Sequence, residues 1–234
     1  MKKISSQAWT LLALAGCVIV LPVRASVLYS DFSTVPASLY SPSLYLDING
    51  STSVIGKIDG DNSNSVAELF TTQGTGSIVV EEVDFAVSQV SGPGTFVASI
   101  WTDVGGVPTV EKASWSLSTT NPAGTCCAIE SVTGISGLSL TGGTQYFMVL
   151  APVSDTDNSW NGWNENNQGV HGTSLESSNG GSTWTSLGTT PFGAFDVLSD
   201  PPSVVPEPGT WFTLAAGAAF VLMFRRYLRR ETAN

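Results

Sequence analysis

Cysteine, histidine and basic side chains are scarce in this chain of 234 residues. It has three cysteines, none of them in a Cys-x-x-Cys pair, and one histidine, His171, so no zinc-ligand set is present. Between residues 26 and 205 the only basic residues are Lys57 and Lys112, against 17 acidic residues, which gives a formal net charge of −15. Because phosphate binding requires a basic surface, we exclude nucleic acid as a partner.

Catalytic motifs are absent as well. The chain has no Gly-x-Ser-x-Gly turn, and His171 lies between glycines in a segment typical of a loop. Glu81 and Glu82 make a poor acid/base pair, because neighbouring strand residues point to opposite faces of a sheet. We therefore predict no catalytic residue, no cofactor and a non-enzymatic protein. The 17 acidic residues leave one alternative open, the paired carboxylates of a glycosidase.

Helical periodicity is missing from the long central segment, where short β-branched and aromatic runs alternate with turn residues. The alternation of TFVASIWT predicts Phe96, Ala98 and Ile100 on one side of a strand, and the apolar run at 144–153 predicts a central strand. We predict an all-β fold, an antiparallel, jelly-roll-like β-sandwich over 26–202. The predicted strands are 27–32, 43–48, 66–72, 77–88, 95–102, 112–119, 128–133, 138–143, 144–153, 182–187 and 194–199.

The N-terminal residues have the layout of a secretory signal peptide. Two lysines precede an apolar run that ends in Val23-Arg24-Ala25, so we predict a signal peptide over 1–25 that signal peptidase cuts after Ala25. An uncleaved membrane anchor is the alternative. The stretch before Cys17 resembles a lipobox, which leaves lipidation of Cys17 as a second alternative, although the apolar run continues beyond it.

A short apolar stretch precedes the C-terminus. Residues 210–224 carry no charge, and as a helix they would span about 22 Å, slightly less than the hydrocarbon core of a bilayer. A basic cluster that resists translocation follows, so we predict a single transmembrane helix over about 210–224, with residues 231–234 as a cytoplasmic tail. The membrane-stop residues are Arg225, Arg226, Arg229 and Arg230.

An extended motif stands just before this predicted helix. The prolines of Pro206-Glu207-Pro208 fix φ and remove two backbone donors, so the motif cannot join a helix and should be accessible to a peptidase cleft. Motif, apolar helix and arginine cluster, over 203–230, closely resemble the PEP-CTERM sorting signal. A plain single-pass anchor is the alternative.

That resemblance implies a processing route and a location. Proteins with this tail are substrates of exosortase, a membrane-embedded cysteine transpeptidase, which would cut near Pro206 to Pro208. The implied location is an inner-membrane precursor, then the cell surface or extracellular matrix of a Gram-negative-type bacterium. Because such bacteria make extracellular polysaccharide, exopolysaccharide is an implied partner.

The central segment is also similar to the choice-of-anchor ectodomains that commonly carry such tails. The similarity rests on Phe-Thr-Thr at 70–72, VASIWTD at 97–103, the Leu-rich, Gly-Gly segment at 138–146 and the Ser-x-Gly-Gly-x-x-Trp hairpin at 178–184. Similarity to these ectodomains implies no particular biochemical activity. Within 138–146, Gly142 and Gly143 are expected to supply the positive φ of a turn between two strands.

The polar segment 154–184 is the strongest candidate for ligand binding. One hypothesis is that Trp160, Trp163 and Trp184 form an aromatic platform for a sugar ring, which would make the protein a carbohydrate-binding module on exopolysaccharide. The alternative is that these tryptophans pack against the sandwich. The residues predicted to bond sugar hydroxyls are Asn161, Asn164, Glu165 and Asn166.

Two features remain open from the sequence alone. The acidic segments 59–63 and 155–159 place oxygens at alternate positions, as some Ca²⁺ loops do, whereas hairpin turns use the same residues. Cys126 and Cys127 fit a disulfide between neighbours, a bond between chains, or two unrelated thiols.

Overall fold

Short strands joined by glycine-rich turns make up the β-domain. The computed structural model describes residues 26–50, 63–154 and 156–199. Within these ranges the only helical segment is a 3-10 turn at Pro36–Ser38, so the predicted all-β class is confirmed. The strands are β1 (Ser26–Ser30), β2 (Tyr45–Asn49), β3 (Ser65–Thr71), β4 (Ser77–Phe85), β5 (Val87–Ser91), β6 (Thr95–Asp103), β7 (Pro108–Ser118), β8 (Glu130–Thr133), β9 (Ser139–Thr141), β10 (Gln145–Ala151), β11 (Trp160–Asn164), β12 (His171–Ser177), β13 (Thr185–Pro191) and β14 (Phe195–Ser199).

The strands form three sheets in which every strand pair is antiparallel. Sheet I has the order β1-β14-β4-β8, with β9 also paired to β4. Sheet II has the order β13-β12-β3-β10-β6-β7, and sheet III has the order β2-β11-β5. The antiparallel pairing is as predicted, whereas the jelly-roll order of the strands stays a prediction.

The main core lies between sheets I and II. Phe70 of sheet II meets Phe195 of sheet I edge to face, with ring centroids 5.5 Å apart. Phe96, Ala98 and Ile100 of β6 all point into this core, as their alternation predicts. Burial of such side chains is the main source of stability for a domain of this size.

The outer face of sheet II carries a second apolar cluster. It consists of Ala67, Phe147, Val149 and Leu175, which belong to the central strands β3, β10 and β12. Because β10 is buried on both faces, its sequence is a continuous apolar run, and its predicted central position is confirmed. The side chains that partly cover this cluster are Leu69, Trp101 and Trp184.

Three strand predictions were wrong. The run 77–88 is divided at Ala86 into β4 and β5, which belong to different sheets. Strands β11 and β12 were missed, because both lie in the polar segment 154–184, where no strand was predicted before residue 182. Their sequences lack the apolar alternation of a half-buried strand, and β11 buries asparagines instead.

The Gly-Gly turn at 142–143 uses its two glycines differently. Gly143 has a positive φ of 71°, as predicted, whereas Gly142 does not. A Cβ on Gly142 would lie 2.5 Å from the backbone carbon of Gly74, so close approach of two chain segments explains this glycine. The predicted hairpin at 178–184 is confirmed, since it joins the paired strands β12 and β13.

Candidate functional site

The residues predicted to act in export and sorting lie outside the described ranges. Within those ranges no helix has the length and apolar character needed to cross a bilayer. The sequence predictions outside these ranges are Ala25, Cys17, Pro206, Glu207, Pro208, Arg225, Arg226, Arg229, Arg230 and the helix over about 210–224.

The sugar platform predicted from Trp160, Trp163 and Trp184 is not formed, because Trp163 is completely buried in the main core. Its indole Nε1 donates a hydrogen bond to the carbonyl of Ala194 at 3.2 Å, and its ring packs against Gly193. A Cβ on Gly193 would lie about 2.5 Å from the indole ring, so only glycine fits there. The prediction for Trp163 was therefore wrong, and the packing alternative is correct for it.

Trp160 lies on the opposite face of β11, because three positions along a strand reverse the direction of a side chain. It is half-buried, and its Nε1 donates to Oδ1 of Asp47 at 2.7 Å. The ring of Tyr45 lies over the neighbouring Gly162. Trp160 therefore belongs to the outer surface of sheet III, and Trp184 to the outer surface of sheet II.

The asparagines predicted to bind sugar hydroxyls bond to protein groups instead. Asn161 Nδ2 donates to the Thr95 carbonyl at 2.8 Å, and Asn164 Nδ2 donates to the Ser88 hydroxyl at 2.7 Å. Asn166 Nδ2 donates to the carbonyls of Val170 and Phe192, each at 2.9 Å. Since all three are buried, these bonds stabilise loops and strand ends.

Two buried carboxyl groups bind the start of β14. Glu68 points into the core from β3, and its Oε1 accepts a hydrogen bond from the Gly193 N–H at 2.7 Å. Asp31 Oδ1 accepts from the Phe195 N–H at 2.8 Å, and its Oδ2 accepts from the Tyr29 hydroxyl at 3.2 Å. Burial raises the pKa of Glu68 and the pKa of Asp31 well above their usual values, and the two backbone donors only partly oppose this.

A groove of about 190 Å³ crosses the outer face of sheet II. Trp101 of β6 and Trp184, which precedes β13, both line it. Its polar side chains are Ser65, Ser99 and Glu111, and Val149 and Pro152 contribute apolar surface. Trp101 and Glu111 could not be grouped from the sequence, because they come from strands whose register was unknown. One signal was available: Trp101 alternates with Phe96, Ala98 and Ile100 and so faces away from the core.

The loop that carries Trp184 is built by its own hydrogen bonds. Ser177 Oγ accepts from the Gly181 N–H at 2.8 Å, and Asn179 Oδ1 accepts from the Thr183 N–H at 2.9 Å. Gly181 has a φ of +82°, which L side chains rarely adopt. The position of Trp184 is therefore set by the hairpin's own residues together with Ser177, which ends β12 just before the Ser-x-Gly-Gly-x-x-Trp motif.

A larger groove of about 390 Å³ lies between β7 and the segment that joins β8 to β9. Lys112 lines it and is the only lysine or arginine among the described residues. Its tryptophan, Trp115, packs against the main core. This groove is therefore lined by one cationic side chain, Lys112, and by one indole ring, Trp115, which is already used in core packing.

The described ranges contain no group of three or more His, Cys, Asp or Glu side chains able to hold a metal ion. Most of the acidic segment 59–63, and Asp155, lie outside these ranges. Asp157 is described, and its Oδ1 accepts from the Ser159 N–H at 3.1 Å, as in a turn. Its Oδ2 accepts from the Thr95 hydroxyl at 3.2 Å. His171 is exposed at the first position of β12.

Cys126 and Cys127 form a disulfide with each other. The backbone N–H of Leu39 donates to Cys127 Sγ at 3.4 Å, and the Tyr40 hydroxyl donates to the Ala128 carbonyl at 3.1 Å. Of the three arrangements that the sequence left open, the structure has the bond between neighbours. The bonded Cys127 packs against the cluster that contains the buried Tyr40, so the 121–128 loop lies beside that ring.

Cleavage of the predicted signal peptide would remove Cys17, and the other two cysteines are bonded to each other, so we expect a mature chain without a free thiol. Unfolding the exported protein without reductant and adding iodoacetamide should leave its mass unchanged. Reduction before alkylation should add two carbamidomethyl groups. Two groups added without reductant would contradict the disulfide, and a third group after reduction would show that Cys17 remains.

Residues 204–230 match the family model described as the PEP-CTERM protein-sorting motif. The chain thus carries the sorting signal that its C-terminal sequence resembles, and the motif indicates export, sorting to the cell surface and processing by exosortase. No curated protein matches the chain.

Proposed function

We propose that this carrier of a PEP-CTERM signal is a cell-surface or extracellular-matrix protein that exosortase processes at Pro206-Glu207-Pro208. Its signal peptide, residues 1–25, directs export, and a helix over about 210–224 holds the precursor in the inner membrane of a Gram-negative-type bacterium. The match at 204–230 is the observation that carries this proposal. The basic cluster after the helix supports the orientation, since arginines resist translocation.

The β-domain fits display outside the cell. Its net charge is strongly negative, which favours solubility and keeps chains apart. Its sheets enclose their own apolar core, so the domain does not depend on the membrane segment for burial. Cleavage at the motif would therefore release a complete folded unit.

We also propose that the β-domain is non-enzymatic. Its two most deeply buried carboxyl groups, Glu68 and Asp31, bind backbone N–H groups at the start of β14. That use supports a structural role, because a glycosidase pair must face a substrate cleft.

The sorting proposal is tested by the mass of the mature C-terminus. We expect the surface-displayed form to end near Pro206 to Pro208 and to lack the four arginines that follow the helix. The measurement is mass spectrometry of the C-terminal peptide from the displayed protein. An intact Glu231-to-Asn234 end on that form would contradict processing.

Paired proline substitutions supply the control. Replacing Pro206 and Pro208 together by alanine should leave an uncleaved precursor in the membrane fraction. Replacing Pro201 and Pro202 makes the same chemical change just before the matched motif, and this variant should be processed normally. Equal processing of both double variants would refute the assignment of the cleavage signal.

A further inference from the structure

Sheet II has one face in the main core and another that neither of the other two described sheets covers. On that outer face, the cluster of Ala67, Phe147, Val149 and Leu175 is buried by loop and strand side chains. Trp101 and Trp184 belong to this cover, yet both remain half-exposed along the groove. Half-exposed indole rings beside hydroxyl and carboxylate groups are the combination that stacks on sugar rings and bonds their hydroxyls.

We propose that this groove binds uncharged carbohydrate. In this assignment Trp101 and Trp184 stack on the apolar faces of sugar rings, while Glu111 and the serines that line the groove bond to hydroxyl groups. Binding of such a ligand by the displayed domain goes beyond the sorting function and does not depend on it.

The indole of Trp101 is already oriented. Its Nε1 donates to Ser99 Oγ on the same strand at 2.8 Å, so its polar atom is satisfied within the protein. The ring face is then the part that remains to interact with a ligand. Trp184 is likewise positioned in advance, because side chains of its own loop fix the turn that carries it. Two preset rings reduce the entropy lost on binding.

A buried hydroxyl gives an independent indication of a ligand. Ser65 is 1% exposed and lines the groove, and its Oγ has no hydrogen-bond partner among the described residues. Leaving a buried hydroxyl unpaired is unfavourable, and a ligand hydroxyl that reaches this part of the groove wall would pair with it. Glu111 lies opposite Trp101 across the β6–β7 pair, and one of its oxygens accepts from Ser114 Oγ at 2.8 Å. A carboxylate accepts further hydrogen bonds, as sugar hydroxyls require.

Charge and size select the class of sugar. Among the described residues, those that line the groove include a carboxylate and no basic side chain, and Lys112 lines the other groove instead. Uronic-acid polymers would place like charges against Glu111, so the groove favours neutral sugars. A volume of about 190 Å³ is below the range of about 300–1,000 Å³ typical of small-molecule pockets, which fits one ring of a longer chain.

The test is calorimetric titration of the full-length chain, held in a detergent without a sugar headgroup. The probes are cellohexaose, mannohexaose and maltohexaose, with oligogalacturonate as the charged counterpart. We expect at least one neutral hexasaccharide to bind. Trp184→Ala and Trp101→Ala should each weaken that binding tenfold or more, since stacking on an aromatic ring supplies much of the affinity for sugars.

Two further variants separate binding from folding. Glu111→Gln alters an exposed side chain, so it should keep the melting temperature and still weaken binding. Trp160→Ala removes a half-buried tryptophan of sheet III that does not line the groove, and binding should be unchanged. The proposal is overturned if no neutral hexasaccharide binds, if oligogalacturonate binds as tightly, or if Trp160→Ala weakens binding as much as Trp184→Ala. None of these results would alter the mass of the processed C-terminus.

Discussion

Replacing Trp163 by alanine should lower the free energy of unfolding by about 3–5 kcal/mol, the range found for removing a large aromatic side chain from a core. The indole is fully buried and lies 5.7 Å from the ring of Phe195 between centroids. The substitution also removes one of the two donors to the Ala194 carbonyl, which still accepts from the Ala86 N–H at 3.0 Å. Urea denaturation followed by far-ultraviolet circular dichroism measures the change.

Trp160→Ala is the matched control, because it removes the same side chain from the same strand. Its indole is half-buried and bonds to the exposed Asp47, so we expect a loss below about 1 kcal/mol. Gly193→Ala should destabilise the domain as Trp163→Ala does, since its new methyl group would overlap the indole ring. Similar losses for Trp160→Ala and Trp163→Ala would show that the two faces of β11 are equally buried, contrary to this fold.

That contrast shows what a strand pattern can predict and what it cannot. The alternation in β6 was sufficient to place Phe96, Ala98 and Ile100 in the core, because each is apolar and two positions apart. In β11 the core-facing residue beside Trp163 is Asn161, which is buried and bonded to a backbone carbonyl. Asparagine is typical of turns, so a strand that buries asparagines has a sequence that resembles a loop.

The candidate groove forms because its strands pair in one particular register, and that register cannot be read from the amino-acid composition. Trp101, Glu111 and Trp184 come from separate strands or loops, and they meet because β6 pairs with β7 and the 178–184 loop folds over β10. The sorting signal is different. Its features are consecutive in the chain, so the tail was predictable from sequence without any knowledge of the fold.

The second large effect is expected with pH. Burial raises the pKa of Glu68 and the pKa of Asp31 well above their usual values, and it raises the pKa of Asp196 to about 6. Each folded carboxyl group then holds its proton more tightly than the unfolded chain does. The resulting stability is complete below the unfolded pKa values, near 4, and is lost as pH rises through the folded values.

The domain should therefore melt at a higher temperature at pH 5 than at pH 8, with a difference on the order of 5 °C for a domain of this size. Repulsion within the acidic domain acts in the same direction, because its net negative charge grows as the carboxyl groups ionise. A melting curve recorded at each pH measures the effect. A melting temperature that rises from pH 5 to pH 8 would contradict the raised pKa values.

Glu68→Gln isolates the buried group from the general charge. The amide oxygen can still accept from the Gly193 N–H, while the side chain no longer ionises, so the dependence on pH between 5 and 8 should be flatter than in the wild type. Glu130→Gln makes the same change at a half-buried position on β8 and should leave the slope nearly unchanged. Equal slopes in the two variants would mean that surface repulsion, and not the carboxyl group that binds the start of β14, sets the response to pH.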